Sequence, residues 1–176
     1  MSDIANKWQE IKTLIESLEV DIVKKKSKHI ECKHLINWVL KSEHLNKYNE
    51  IEKHKQFFKE CQNHKILLKQ LLLTLKKQNK KILGYGASTK GNVLLQYCNI
   101  NSKLLDYISE VNKFKFNKYT PGSNIKIISE KEFKLKKPDY MLVLPWHFKD
   151  HILRREQHFL KSGGKLIFPL PDIEIV

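Results

Sequence analysis

Residues 81–92 read KILGYGASTKGN: a short apolar run, then Gly84-x-Gly86, two hydroxyls, a lysine and a third glycine. Lys81–Leu83 has the character of a buried strand, and Asn92–Cys98 (NVLLQYC) that of an amphipathic helix. A strand that turns into a helix through glycines suits an anionic, phosphate-bearing ligand. Backbone N–H groups at the helix N-terminus face such a ligand, and glycines let the main chain approach it closely. The candidate contacts are Gly84, Tyr85, Gly86, Ala87, Ser88, Thr89, Lys90, Gly91 and Asn92. Lys90 opposes the helix dipole at this position, so it is comfortable there only beside an anion.

The turn fits the known phosphate signatures only in part. In GxGxxG the third glycine would fall at Thr89, although Glu110 stands about where a ribose-binding acid belongs. GxxxxGK[ST] is not matched either, so this is not a nucleotide-hydrolysing loop. Three readings stay open: a phosphate cradle, a nicotinamide-dinucleotide fingerprint, and glycines that serve only tight strand–helix packing.

Downstream, strand and helix patterns alternate. Lys103–Ser109 and Ile125–Ile128 read as the second and third strands, with the turn Tyr119-Thr120-Pro121-Gly122 between them. Ser129, with a glutamate close behind, opens a short helix over Ser129–Phe133. Tyr140–Leu144 is a strongly apolar strand ended by Pro145. Phe148–Lys161 is helical, Gly163-Gly164 ends it, and Lys165–Phe168 is a last strand. The pattern predicts an α/β fold: a Rossmann-like, doubly wound parallel sheet of about five strands. Such sheets bind ligands at the carboxyl ends of their strands. Those ends carry GYGASTKG, Ser109-Glu110 and Pro145-Trp146-His147. Glu110 suits ribose hydroxyls or simply follows a strand at the surface. Pro145 and Trp146 offer a wall for a flat or sugar ring, or else a strand stop with a packed indole. His147 offers a hydrogen-bond donor. No partner carboxylate in the sequence makes it a general base, so no catalytic residue is assigned.

Upstream the period is helical. Ile4, Trp8, Ile11, Ile15, Leu18 and Ile22 draw one apolar stripe suited to packing on the chain or to a coiled-coil homodimer. Helices are expected over about 3–26, 30–40 and 47–78, with no Gly or Pro before Gly84. The chain is thus expected to divide into a helical extension, 1–80, and a Rossmann-like domain, 81–176. His29, His34, His44, His54 and His64 fall on no common ligand face and read as solvated, and no metal site is expected.

The formal charge is +14, from 33 Lys+Arg against 19 Asp+Glu. That field favours anionic partners, although a Lys-, Asn- and Ile-rich chain equally reflects AT-rich coding. The charge forms no basic stripe with interleaved aromatics, which argues against sequence-specific nucleic-acid binding. Three cysteines without CxxC spacing point to a reduced protein without structural zinc. The first twenty residues do not read as a signal peptide, and no apolar run approaches the roughly 18–20 residues of a membrane span. A soluble, cytoplasmic protein is expected.

Four blocks, GYGASTKGNVLLQYCNI, YISEVNKFKFNKYTPGSNIKIISE, KPDYMLVLPWHF and GGKLIFPLP, resemble in order and spacing the C-terminal domain of nucleotide-sugar C-methyltransferases. These enzymes make branched deoxysugars with S-adenosylmethionine. The resemblance spans residues 82–171, and the helix from about Glu43 to Lys81 resembles the family's connecting helix. It implies a Rossmann-like domain that binds the nucleotide-sugar, with Gly84–Asn92, Glu110, Tyr119, Pro121, Gly122, Pro145, Trp146 and His147 near that ligand. The family's zinc module and methyl-donor domain precede the matched region, and too few residues precede it here for either. S-adenosylmethionine is therefore expected in a partner subunit or a missing domain, and not on this chain. The alternative is a stand-alone module or enzyme for another nucleotide ligand, coenzyme A or NAD(P).

Overall fold

The computed structural model describes residues 32–176. The chain divides into two compact units, Met1–Glu60 and Cys61–Val176. Among its described residues the first unit holds α1 (Lys33–Leu45) and the start of a long helix, α2 (Ile51–Lys77). No α1 residue is buried, and Leu35, Ile36 and Trp38 are exposed. The helix expected from Lys47 begins instead at Ile51, because Lys47 takes a left-handed conformation, φ 59°, that no helix continues through. The helix expected over 3–26 lies outside the described residues.

The second unit is a six-stranded sheet between helices. Its strands are β1 (Ile82–Tyr85), β2 (Tyr107–Glu110), β3 (Lys126–Ser129), β4 (Tyr140–Val143), β5 (Lys165–Phe168) and β6 (Glu174–Ile175). Their spatial order is β3-β2-β1-β4-β5-β6, parallel throughout except for β6, which runs antiparallel to β5. The two halves wind outward from β1 and β4, so a crevice opens between the carboxyl ends of these strands. Alternation along each strand supplies both faces. Ile82, Ile108, Leu142, Leu144 and Ile167 pack with Leu68, Leu72 and Leu75 of α2 and with Leu94 and Leu95 of α3 (Thr89–Tyr97). Leu83, Tyr85, Met141, Val143, Leu166 and Phe168 pack on the other side. Their partners are Phe133 of α4 (Glu130–Leu135) and Ile152 of α5 (Lys149–Arg155). Each such aliphatic or aromatic side chain contributes about 1.5–3 kcal/mol when fully buried.

Local chemistry sets the element ends. Ser88 caps α3, its Oγ accepting from Gly91 N, so the helix starts three residues before the apolar pattern does. Ser129 and Glu132 form a full capping box on α4. The second strand begins only at Tyr107. Asn101 Oδ1 accepts from Lys103 N and holds the preceding residues in a turn, from which Leu104 and Leu105 still reach the core. The helix expected over Phe148–Lys161 is a short 3₁₀ turn, Trp146–Phe148, then α5 and α6 (Gln157–Lys161), with a break at Glu156. Strand β6 was not expected. His64 departs from its solvated reading: it precedes Leu68 by one helical turn and so shares the buried stripe of α2. Its Nε2 finds no hydrogen-bond partner among the described residues. Burial pushes its pKa down, against the raising effect of Asp172. His34, His44 and His54 are exposed.

Candidate functional site

The turn after β1 is held by its own backbone. Gly86 N donates to Ser109 O at 2.9 Å, Ser88 N donates to Gly86 O at 2.9 Å, and Gly86 sits at φ 77°. A Cβ at Gly86 would lie 2.9 Å from the Pro145 ring, and one at Gly91 would lie 2.4 Å from Leu144 Cβ. These two glycines therefore let β1, α3 and the end of β4 close together. Gly84 likewise serves the sheet, where a Cβ would strike Ile108.

A pocket of about 290 Å³ opens at this junction. Gly86, Ala87 and Ser88 form one side and Ser109, Glu110, Val111 and Lys115 the next. Pro145 and Phe148 form a third side, and Glu130, His151, Ile152 and Arg155 close it, with Tyr85 lining it from β1. Lys115 reaches back from the one-turn helix Lys113–Lys115. Its Nζ donates to Ala87 O at 2.9 Å and to Glu110 Oε2 at 3.1 Å. Glu110 Oε1 accepts from Val111 N at 2.8 Å and from Asn112 N at 3.1 Å. Burial pushes the Glu110 carboxyl pKa up. The hydrogen bonds from Asn112 N, Lys115 and Val111 N outweigh that and hold it below the usual carboxylate range.

Across the pocket runs a second network. Tyr85 Oη donates to Glu156 Oε1 at 2.8 Å, Arg155 Nε lies 3.5 Å from the same oxygen, and Arg155 Nη2 bonds Glu130 Oε1. Burial, then the hydrogen bond to Glu156, pushes the Tyr85 phenol pKa well up, so it remains a neutral donor. Two cations, Lys115 and Arg155, thus face one small pocket, and each is oriented by carboxylates.

The structure gathers only some of the expected site residues. Tyr85, Gly86, Ala87, Ser88, Glu110 and Pro145 line the pocket. Thr89 and Lys90 lie exposed on the first turn of α3. Gly91 is buried beneath Leu144, and Asn92 turns Oδ1 inward, where no hydrogen-bond partner meets it among the described residues. Trp146 packs against both core clusters, while His147 is exposed with its ring tilted on Phe148 at 4.3 Å. Tyr119, Pro121 and Gly122 are not at the carboxyl ends. Residues 117–120 pair alongside β3 in the opposite direction and so carry the turn to the amino ends. There Pro121 O accepts from Gln96 Nε2, in the last turn of α3. Tyr119 lines a separate, open hollow of about 550 Å³ with Lys81, Asp106, Tyr107, Lys126 and Lys136.

Lys115, Glu130, Phe148, His151, Arg155 and Glu156 were not expected. One signal pointed to Arg155: Arg154 and Arg155 are the two arginines of a lysine-rich chain and follow the most apolar strand. Among the described residues, no three His, Cys, Asp or Glu side chains gather as a metal set, and no helix is long and apolar enough to cross a membrane.

The model of the C-methyltransferase C-terminal domain matches residues 16–171. C-methyltransferase NovU of Streptomyces niveus is 33% identical over 109 residues, 62% of this chain and 26% of NovU. The chain therefore spans about a quarter of the length of this curated relative.

Proposed function

The chain belongs to the C-methyltransferase C-terminal domain family, and from that premise we propose that its carboxyl-end pocket binds a nucleoside-diphosphate sugar. The reading rests on one observation: the N-terminus of α3, Lys115 and Arg155 converge on a single pocket at the strand-order switch. A diphosphate meets the Lys115 and Arg155 cations there. Pro145 and Phe148 give apolar surface for a ring.

The role proposed for this chain is to hold and orient the acceptor in modified-sugar biosynthesis, beside a methyl-donor domain or subunit. S-adenosylmethionine, which supplies the methyl group, does not suit this pocket. Glu110, the acid placed for an adenosine ribose, is already engaged by two backbone N–H groups and Lys115. The donor is therefore proposed to sit on that other domain or subunit.

Thermal-shift titration with nucleoside-diphosphate sugars, S-adenosylmethionine, NAD(P) and coenzyme A tests the reading. Sugar nucleotides are expected to stabilise the chain by about 2.7 kcal/mol at a hundredfold excess over Kd. Stabilisation by S-adenosylmethionine, NAD(P) or coenzyme A, with none from any sugar nucleotide, contradicts it.

A further inference from the structure

We infer that Lys115, and not Glu110, reads the ligand at the end of β2, and that it selects a phosphate there instead of a ribose diol. The inference rests on the nucleotide reading of the same pocket. In doubly wound sheets an acid at the end of the second strand accepts the ribose hydroxyls. Glu110 stands at that position, but three of its roughly four acceptor sites are taken. Oε1 takes two backbone N–H groups, and Oε2 takes the Lys115 ammonium. Its side chain is only 10% exposed, whereas that of Lys115 is 43% exposed.

A carboxylate offers about four acceptor sites, so three bonds leave too few for a bidentate diol. An ammonium offers three donors, and Lys115 uses two, on Ala87 O and Glu110 Oε2. The third is left for the pocket that Lys115 lines. The local sequence sets this geometry. Asn112 Oδ1 caps Phe114 N at 3.0 Å and starts the single turn that swings Lys115 back over Ala87. Glu110 is then a positioning residue, fixing the cation that touches the ligand.

Calorimetric titration of the whole 176-residue chain with UDP, 2′-deoxy-UDP and uridine tests this. A pocket that ignores the ribose hydroxyl binds the two diphosphates within about twofold, whereas one built to hydrogen-bond that hydroxyl discriminates strongly. Uridine is expected to bind far more weakly. Lys115→Met is expected to weaken both diphosphates about tenfold or more, the scale of one charged hydrogen bond, with Lys115→Arg recovering most of the loss. Glu110→Gln weakens them too, and the double variant adds little beyond Lys115→Met, because both changes act through one ammonium.

The ribose-to-deoxyribose ratio is read on the unaltered chain and needs no variant to fold. A tenfold or larger preference for UDP that Glu110→Gln abolishes would overturn the inference by assigning the diol to Glu110. Diphosphate binding that a folded Lys115→Met chain retains in full overturns the inference alone. A wild-type chain that binds neither these diphosphates nor any sugar nucleotide overturns the functional reading and the inference together.

Discussion

At the carboxyl ends of the strands, the cations Lys115 and Arg155 are held by Glu110, Glu130 and Glu156 around a small pocket with partly apolar walls. At the amino ends, Lys81, Lys126 and Lys136 rim a hollow nearly twice as large, open and mostly polar, with Lys136 lying over the Tyr107 ring. Asp106, the carboxylate lining that hollow, lies 3.8 Å from Lys76. At the amino ends the cations outnumber the one carboxylate, whereas at the carboxyl ends each cation is matched and fixed by carboxylates. In a chain of net charge +14, positive charge is weak evidence of a site. A cation whose rotamer is set by partners on two other elements is stronger evidence, since less freedom is lost when it meets a ligand.

The sharpest way to break this contrast is through packing. Gly91→Ala puts a Cβ 2.4 Å from Leu144 Cβ at the junction that shapes the carboxyl-end pocket. It is expected to destabilise by about 3 kcal/mol, the upper end of the overpacking range, in urea denaturation. Gly163→Ala, at φ 90° with no atom within 4 Å, serves as the control. There only the left-handed backbone is strained, at about 1–2 kcal/mol. Equal losses at both glycines would show that the junction is not tightly determined.

Next in size is Tyr85→Phe, which strips the phenol from Glu156 and is expected to cost about 1.5 kcal/mol, the value for a hydrogen bond to a charged group. Ultraviolet titration adds a check on wild type. The raised Tyr85 phenol should remain un-ionised as pH rises through 10, the ordinary value. Its ionisation there with no delay would dissolve the Tyr85–Glu156 link.

A smaller effect concerns acid. Because the folded pKa of Glu110 is depressed, its contribution to stability is present above its ordinary value of 4.5 and is lost as pH falls through the lower folded value. Urea midpoints of wild type and Glu110→Gln should therefore converge as pH drops below 4.5. A gap that stays constant with pH contradicts the hydrogen-bonded state assigned to this carboxylate. Smallest of all, Lys126→Ala and Lys136→Ala should shift stability by no more than about 0.5 kcal/mol and leave nucleotide affinity unchanged. A loss matching that of Lys115→Met would move the site to the amino ends.

Strands β1, β4 and β5 were legible because they are short apolar runs with glycine or proline beside them, and the Ser129 cap was legible because its partner Glu132 is three residues away. The second strand was misplaced because Leu104 and Leu105 are apolar yet enter the core from an asparagine-held turn. Gly86 and Ser88 could be placed at the turn after β1 because their roles are local. The position of Tyr119, Pro121 and Gly122 in the fold could not be read, since the direction of the loop beside β3 depends on pairing that sequence order does not reveal. Lys115 was hidden among many lysines, and its significance comes from Ala87, 28 residues earlier in the chain. Arg155 likewise acquires its role from Glu130, 25 residues away.

The most direct measurement is an amide chemical-shift titration of the isotope-labelled chain with nucleoside-diphosphate sugars. The largest saturable shifts are expected at Gly86, Ala87, Ser88, Lys115 and Arg155, with Tyr107, Tyr119, Lys126 and Lys136 unmoved. Shifts concentrated at the amino-end residues, or none at either end, would contradict the account.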